Sequence, residues 1–162
     1  MASSTLAAVH NGSELYQSFI DKSGNLSILK GNPVVDKNFS GPHNIEIDER
    51  RIRPDPGTQI SAVSLSRYSR PNDVEVRVYY MKEGYLEEII WYSGGAPEFG
   101  WKKGNLGDHF RPIPGSGIDA RYVESRKTVY LHYKEKDGDA GYRCAYEKDG
   151  GVWELRWLTA AN

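Results

Sequence analysis

The chain has 162 residues, enough for one ordinary domain with a sizeable core, and its formal net charge is −1. This near balance of charge gives no argument for nucleic acid or an anionic membrane as the main partner, and we expect neither. Aromatic residues make up 12% of the chain, including 11 Tyr and 4 Trp. Because aromatic side chains favour pleated, half-buried surfaces, the composition predicts β structure.

Cysteine, histidine and the amino-terminal stretch argue against several common classes. Cys144 is the single cysteine, so the chain has neither an internal disulfide nor a CxxC pair for zinc or redox chemistry. The 4 histidines are scattered without HExxH-type spacing, and we expect no metal and no cofactor. No secretory signal is recognisable, and no apolar run approaches the ~20 residues that span a bilayer. These features predict a cytoplasmic protein without membrane insertion, with release by a non-classical route left open.

Three copies of one hairpin pattern follow each other along the chain. They cover approximately residues 4–57, 58–114 and 115–158. Each copy opens with a strand of small residues around a central alanine, which is Ala8, Ala62 or Ala120. An aromatic-rich alternating strand, a turn at Gly24, Gly84 or Gly138 and a third strand follow. The period of roughly 50 to 60 residues is near that of four-stranded propeller blades, and it predicts about twelve short strands in three groups of four.

Alternation with a period of two supports strands throughout the chain. In "VEVRVYYMK", one face of the predicted strand carries Val74, Val76, Val78 and Tyr80, and the other carries Glu75, Arg77 and Tyr79. Proline-rich segments at 52–57 and 111–117 separate the copies. The sequence therefore predicts one all-β domain over residues 1–162, built from propeller-type blades.

Three blades do not close a ring, and both end blades would leave a large apolar face bare. Two chains related by two-fold symmetry would complete a six-bladed propeller, so we expect a homodimer. A compact prism of three sheets in a single chain is the alternative.

The second copy, "ISAV…VRVYYMKEGYLEEIIW…GWKKG", resembles a blade of the fungal fucose-binding lectins typified by Aleuria aurantia lectin. The likeness rests on the arginine-bearing strand, a Glu-x-x-Trp step and a Gly-Trp step, which occur in that order. It is close across residues 59–106, weaker across 116–158 and faint across 4–57. Chains of that family carry six blades, or two blades that trimerise, and three blades depart from both patterns.

The resemblance implies a six-bladed propeller that binds fucosylated glycans or glycoproteins without calcium, in clefts between adjacent blades. In such a lectin, a strand arginine and a third-strand glutamate bind sugar hydroxyls, and aromatic residues of the next blade cover the apolar face of the sugar. Carried onto this chain, these residues are Arg77, Glu88 and Trp153.

The chemistry of these side chains suits a sugar. A guanidinium offers a rigid fork of donors, a carboxylate offers acceptors, and an indole face covers CH groups. The alternative for Arg77 and Glu88 is a plain cross-strand ion pair, which at a surface contributes only about 0–1 kcal/mol.

The other copies lack this polar pair. The third has Tyr130 and Cys144 at the two positions, and in the first they fall near Tyr16 and Ile28. Trp101 offers a possible secondary stacking face between the first two blades, with blade packing as its alternative role.

Three further functions stay open at this level: a lectin for another sugar, such as a GlcNAc-type or methylated glycan, a protein-interaction scaffold with a vestigial sugar site, and an enzyme. The sequence contains no Ser-x-Asp-x-Gly-x-Thr-Trp box, nucleophile elbow, phosphate loop or Ser/His/Asp spacing. We therefore expect a non-catalytic, metal-independent lectin.

Overall fold

A computed structural model of the chain describes residues 6–11, 14–35, 39–67, 70–93, 100–107, 109–136, 142–148 and 152–158. Apart from a 3-10 helix at Glu124–Arg126, its regular structure consists of β-strands. These strands form three four-stranded antiparallel sheets and one small two-stranded hairpin. The prediction of an all-β fold with four-stranded repeats is confirmed. None of the described residues belongs to a helix long and apolar enough to cross a membrane.

Within each large sheet, neighbouring strands are also consecutive in the chain. The first sheet contains β1 (Leu6–Asn11), β2 (Glu14–Ile20), β3 (Leu26–Gly31) and β4 (Ser40–Asn44). The small hairpin contains β5 (Glu46–Ile47) and β6 (Arg50–Arg51). The second sheet contains β7 (Ser61–Arg67), β8 (Arg70–Lys82), β9 (Tyr85–Tyr92) and β10 (Lys102–Lys103). The third sheet contains β11 (Ile118–Val123), β12 (Thr128–Lys134), β13 (Tyr142–Lys148) and β14 (Val152–Leu158).

The first strands of the three sheets lie beside one another, with β7 next to both β1 and β11. Side-chain hydroxyls of the second sheet bond to the backbone of each neighbour. Ser64 Oγ donates to the carbonyl of His10 at 2.6 Å, and Ser61 Oγ accepts from the N–H of Ala120 at 2.9 Å. These bonds hold the three sheets together along the line of their innermost strands, as in neighbouring propeller blades.

Two hydrophobic cores fill the spaces between consecutive sheets. The first core lies between the first two sheets and includes Val9, Tyr16, Val76, Val78 and Tyr80. The second lies between the second and third sheets and includes Val63, Tyr79, Leu86, Leu131 and Tyr133. Strand β8 contributes to both cores because its successive side chains point to opposite faces. Its predicted alternation is therefore confirmed.

The turn between β8 and β9 is a tight two-residue hairpin. Glu83 and Gly84 both have positive φ angles, 55° and 79°, as a type I′ turn requires. The Asp55 carboxylate, in the segment before β7, accepts the backbone N–H groups of both residues at 2.8 Å. This anchor fixes the end of the hairpin that carries Arg77 and Glu88. The turn predicted at Gly138 lies outside the described residues.

Candidate functional site

The β8–β9 hairpin brings Arg77 and Glu88 together on one face of the second sheet. Glu88 lies directly opposite Tyr79, whereas Arg77 lies opposite Ile90. Arg77 and Glu88 are therefore diagonal neighbours, which long side chains bridge easily. Arg77 Nη1 donates to Glu88 Oε1 at 3.1 Å, so the two residues are paired as the sequence suggests.

Arg77 is held by three carboxylates rather than one. Its Nε donates to Glu75, two residues earlier on β8. Its Nη1 also donates to Glu147 Oε2 at 2.7 Å, and Glu147 belongs to β13 of the third sheet. The Arg77 side chain is only 9% exposed. This buried cation, with carboxylate partners in both sheets, links the second sheet to the third.

Glu88 is more deeply buried than its partner. The residue is 1% exposed, and its Oε1 also accepts the Tyr79 hydroxyl at 2.9 Å. Its Oε2 is buried and has no hydrogen-bond partner among the described residues. Gly104 lies against this carboxylate, where a β-carbon would overlap with Oε2, and the N–H of Gly104 donates to the backbone carbonyl of Glu88 at 2.8 Å.

Burial and the neighbouring charges shift the pKa values of Glu88 and Arg77 in opposite directions. Burial raises the pKa of Glu88 above the ordinary glutamate value, although Arg77 and the Tyr79 hydrogen bond oppose the shift. Burial alone would lower the pKa of Arg77, but Tyr79 and the three glutamates raise it well above its usual range. Burial and the nearby Glu88 also raise the pKa of Tyr79. Arg77 therefore stays charged, and Tyr79 stays neutral and can donate.

Trp153 of the third sheet packs against the same cluster. Its ring meets Tyr79 edge-on, with ring centroids 6.2 Å apart and an interplanar angle of 81°. On β14 it lies directly opposite Glu147, so the indole and that carboxylate are neighbours. Its Nε1 is buried and has no hydrogen-bond partner among the described residues. The three residues singled out in the sequence thus lie together between the second and third sheets.

Strand register identifies the corresponding positions in the other sheets. Ala62 pairs with Val78, the residue after Arg77, and Ala120 pairs with Leu131, the residue after Tyr130. Tyr79 pairs with Glu88, and the corresponding His132 pairs with Cys144. Tyr130 and Cys144 therefore occupy the arginine and glutamate positions of the third sheet.

The same register gives the corresponding positions in the first sheet. Ala8 pairs with Gln17, the residue after Tyr16, and Ser18 pairs with Ile28. Tyr16 and Ile28 therefore occupy the arginine and glutamate positions there.

At the position that corresponds to Arg77, side chains of the first two sheets pack directly on one another. Tyr16 donates to Glu14 Oε2 at 2.6 Å, and its ring lies 5.3 Å from that of Trp91. Lys30 Nζ lies 5.4 Å from the centre of the Tyr16 ring and 3.2 Å from Glu14 Oε2. Trp101 packs against the first core, and a stacking role for it stays a prediction.

Sequence reasoning missed Glu147, Glu75, Tyr79 and Gly104. A signal for Glu147 was present, because it lies three residues after Cys144 as Trp91 lies three residues after Glu88. Gly104 could not be singled out, since only the fold shows how closely it approaches the carboxylate. In the described part of the chain, no group of three or more His, Cys, Asp or Glu side chains could hold a metal ion.

No protein-family model matches the chain, and no curated protein matches it significantly in sequence. Solved structures do match. The six-bladed propeller lectin of Aleuria aurantia has a TM-score of 0.71 and 20% identity, with 98% of this chain and 48% of that chain covered. AofleA from Arthrobotrys oligospora has a TM-score of 0.69 and 18% identity, with 94% and 42% covered. The chain thus spans about half the length of these proteins.

A fucose lectin from Kordia zhangzhouensis has a similar length. Its TM-score is 0.61 at 15% identity, with 96% of this chain and 99% of that chain covered. This neighbour is matched along nearly its whole length, so its chain is comparable in size to the present one. The chain has the fold of a partial propeller unit, and its structural neighbours are fucose lectins of the Aleuria aurantia type.

Proposed function

We propose that this chain is a non-catalytic lectin that binds fucosylated glycans in the cleft between its second and third sheets, without a metal ion. The observation that carries the proposal is the convergence of Arg77, Glu88 and Trp153 on that cleft. The neighbours add support, since the Aleuria aurantia lectin structure is described by its fucose recognition mode and the Kordia zhangzhouensis lectin was solved with methyl-fucoside.

The Arg77 guanidinium suits a neutral ligand with vicinal hydroxyls, because one of its nitrogens still has donors available. Its Nε and Nη1 are engaged by glutamates, and no described residue accepts a hydrogen bond from Nη2. The two N–H groups of Nη2 form a donor fork whose position is already fixed. Binding then loses little side-chain entropy, because Arg77 is already ordered. Charge-assisted hydrogen bonds to the ligand are also about twice as strong as neutral ones.

The indole of Trp153 supplies the apolar part of the site. It is partly buried against the second core, and Tyr79 fixes its orientation through the edge-on contact. An indole face beside a donor fork matches a sugar that has hydroxyls on one side and CH and methyl groups on the other.

We further propose that two chains close one six-bladed ring. On β2, Tyr16 and Ile20 face the first core, so Leu15 and Phe19 point to the other face of the sheet. Leu6 pairs with Phe19 on that open face and is 53% exposed. The corresponding face of the second sheet packs against the first sheet. A sheet of a second chain would pack in the same way against the open face of the first sheet.

A glycan array on the purified protein, with and without a chelator, tests this function. We expect binding to fucosylated glycans that the chelator does not change. Selective binding to GlcNAc-type or methylated glycans without fucose would replace the proposed ligand. No binding to any glycan would favour a protein-interaction scaffold, and release of free sugar from the bound glycans would contradict the non-catalytic assignment.

A further inference from the structure

We propose that Glu147 of the third sheet is the carboxylate that accepts a ligand hydroxyl in the fucose cleft, while Glu88 holds Arg77 in position. This inference rests on the proposed function and assigns a specificity-determining residue to its site. The cleft would then use one donor from the second sheet and one acceptor from the third.

The position of Glu147 is one that faces the preceding sheet. By register, Glu147 corresponds to Trp91 of the second sheet, because each lies three residues beyond the glutamate position. Trp91 reaches across the first cleft to Tyr16, which itself occupies the arginine position. Glu147 reaches across the second cleft in the same way and contacts Arg77 at 2.7 Å. The cross-cleft position thus carries an aromatic ring in one cleft and a carboxylate in the other.

Glu88 is poorly placed to accept a ligand hydroxyl. Its Oε1 already accepts from both Arg77 and Tyr79, and its Oε2 is buried against Gly104. A ligand would have to displace the Gly104 segment to reach Oε2. With 1% exposure and two donors fixed on one oxygen, Glu88 is a positioning residue for the guanidinium.

Glu147 carries its unpartnered oxygen on a partly exposed side chain, whereas the unpartnered Oε2 of Glu88 is buried. Its side chain is 14% exposed, and Arg77 bonds only its Oε2. The described residues offer no donor to Glu147 Oε1. Since Glu147 lies opposite Trp153 on the neighbouring strand, its carboxylate borders the indole against which the sugar would pack. A hydroxyl beside the indole could therefore donate to Glu147 while its neighbour accepts from Arg77 Nη2.

The test combines protein variants with ligand analogues. Titration calorimetry would measure the Kd of methyl α-fucoside and of its 2-, 3- and 4-deoxy analogues for the wild type, for Glu147→Gln and for Glu147→Asp. Glu46→Gln, an exposed carboxylate change in the β5–β6 hairpin, is the matched control. Thermal melting followed by circular dichroism confirms that each variant is folded.

We expect Glu147→Gln to raise the Kd of methyl fucoside about tenfold, the change that follows from losing one charge-assisted hydrogen bond, and Glu46→Gln to leave it unchanged. Glu147→Asp, which retracts the charge by one methylene, should also bind more weakly. For one deoxy analogue, the loss of affinity seen with the wild type should be smaller in Glu147→Gln, because a neutral amide oxygen bonds the missing hydroxyl more weakly than the carboxylate does.

Three results would overturn the inference while leaving the proposed function intact. The first is an unchanged Kd in Glu147→Gln. The second is a lower Kd, which would show that Glu147 competes with the sugar for Arg77. The third is that, for every analogue, the losses of binding free energy from the deoxy change and from Glu147→Gln are additive. A wild type that binds no fucoside would instead refute the proposed function, and the role of Glu147 would fall with it.

Discussion

Gly104 lies so close to Glu88 that no side chain fits between them. A β-carbon at position 104 would overlap with Glu88 Oε2 and lie 2.6 Å from its Cδ. The close approach keeps the carboxylate in place beneath Arg77. Glycine at this position is therefore a requirement of the site, and it does not depend on an unusual φ angle.

Gly104→Ala should destabilise the protein and weaken fucoside binding together. The added methyl group must displace the carboxylate, and overpacking of this kind costs roughly 1–3 kcal/mol of unfolding free energy. Gly117→Ala is the matched control, since nothing lies within 4 Å of a β-carbon there, and it should be neutral or stabilising by up to about 1 kcal/mol. Thermal melts and titration calorimetry measure both effects. Equal stability of the two variants would refute the tight contact.

Arg77→Ala should remove most of the affinity for fucosides. The change deletes the donor fork and leaves buried carboxylates without their partner, which costs on the order of 2–4 kcal/mol of binding free energy. Arg77→Lys keeps the charge but loses the planar fork, so we expect an intermediate loss. Calorimetry on folded variants decides the matter, and normal affinity in Arg77→Ala would exclude this cleft as the sugar site.

Trp153→Ala should cost about 1–3 kcal/mol of binding free energy through lost apolar contact. Trp153→Phe retains an aromatic face and should lose less. Trp101→Ala is the control, because Trp101 packs against the first core, where it supports stability but does not touch the proposed site. Tryptophan fluorescence titration with methyl fucoside separates the three. A larger loss in Trp101→Ala than in Trp153→Ala would place the sugar in the other cleft.

Glu88 should make stability depend on pH in a defined direction. Burial raises its pKa in the folded state above the unfolded value of 4.5, so the folded protein binds this proton more tightly. The stabilisation is complete below pH 4.5 and is lost as the pH rises through the raised pKa. The melting temperature of the wild type, relative to Glu88→Gln, should therefore fall across this interval. A difference that grows with rising pH would show that the Arg77 pair outweighs burial.

The predicted ring requires a dimer. Light scattering should give twice the chain mass of 18.3 kDa at micromolar concentration. Phe19→Glu on the open face of the first sheet should shift the protein to the monomer, since it would bury an unpaired charge. Lys136→Glu, an exposed change after β12, is the control. A wild type of monomer mass would refute the closed ring.

Periodicity was sufficient for the strands of the three large sheets and for the faces of β8, because side-chain alternation depends on local geometry alone. It did not predict the β5–β6 hairpin. The repeat alignment was sufficient for the equivalence of Arg77 with Tyr130 and of Glu88 with Cys144. It aligns Glu147 with Trp91, but it could not reveal the contact between Glu147 and Arg77, because that contact depends on the packing of one sheet against the next. Nor could it show the burial of Glu88, since sequence spacing carries no information on how closely Gly104 approaches.

A crystal structure of the protein with methyl α-fucoside tests the central claim most directly. We predict sugar density between the second and third sheets, with a hydroxyl pair at Arg77 and the methyl-bearing face on Trp153. Sugar density only in another cleft, or an empty cleft at saturating fucoside with both residues ordered as described, would contradict it.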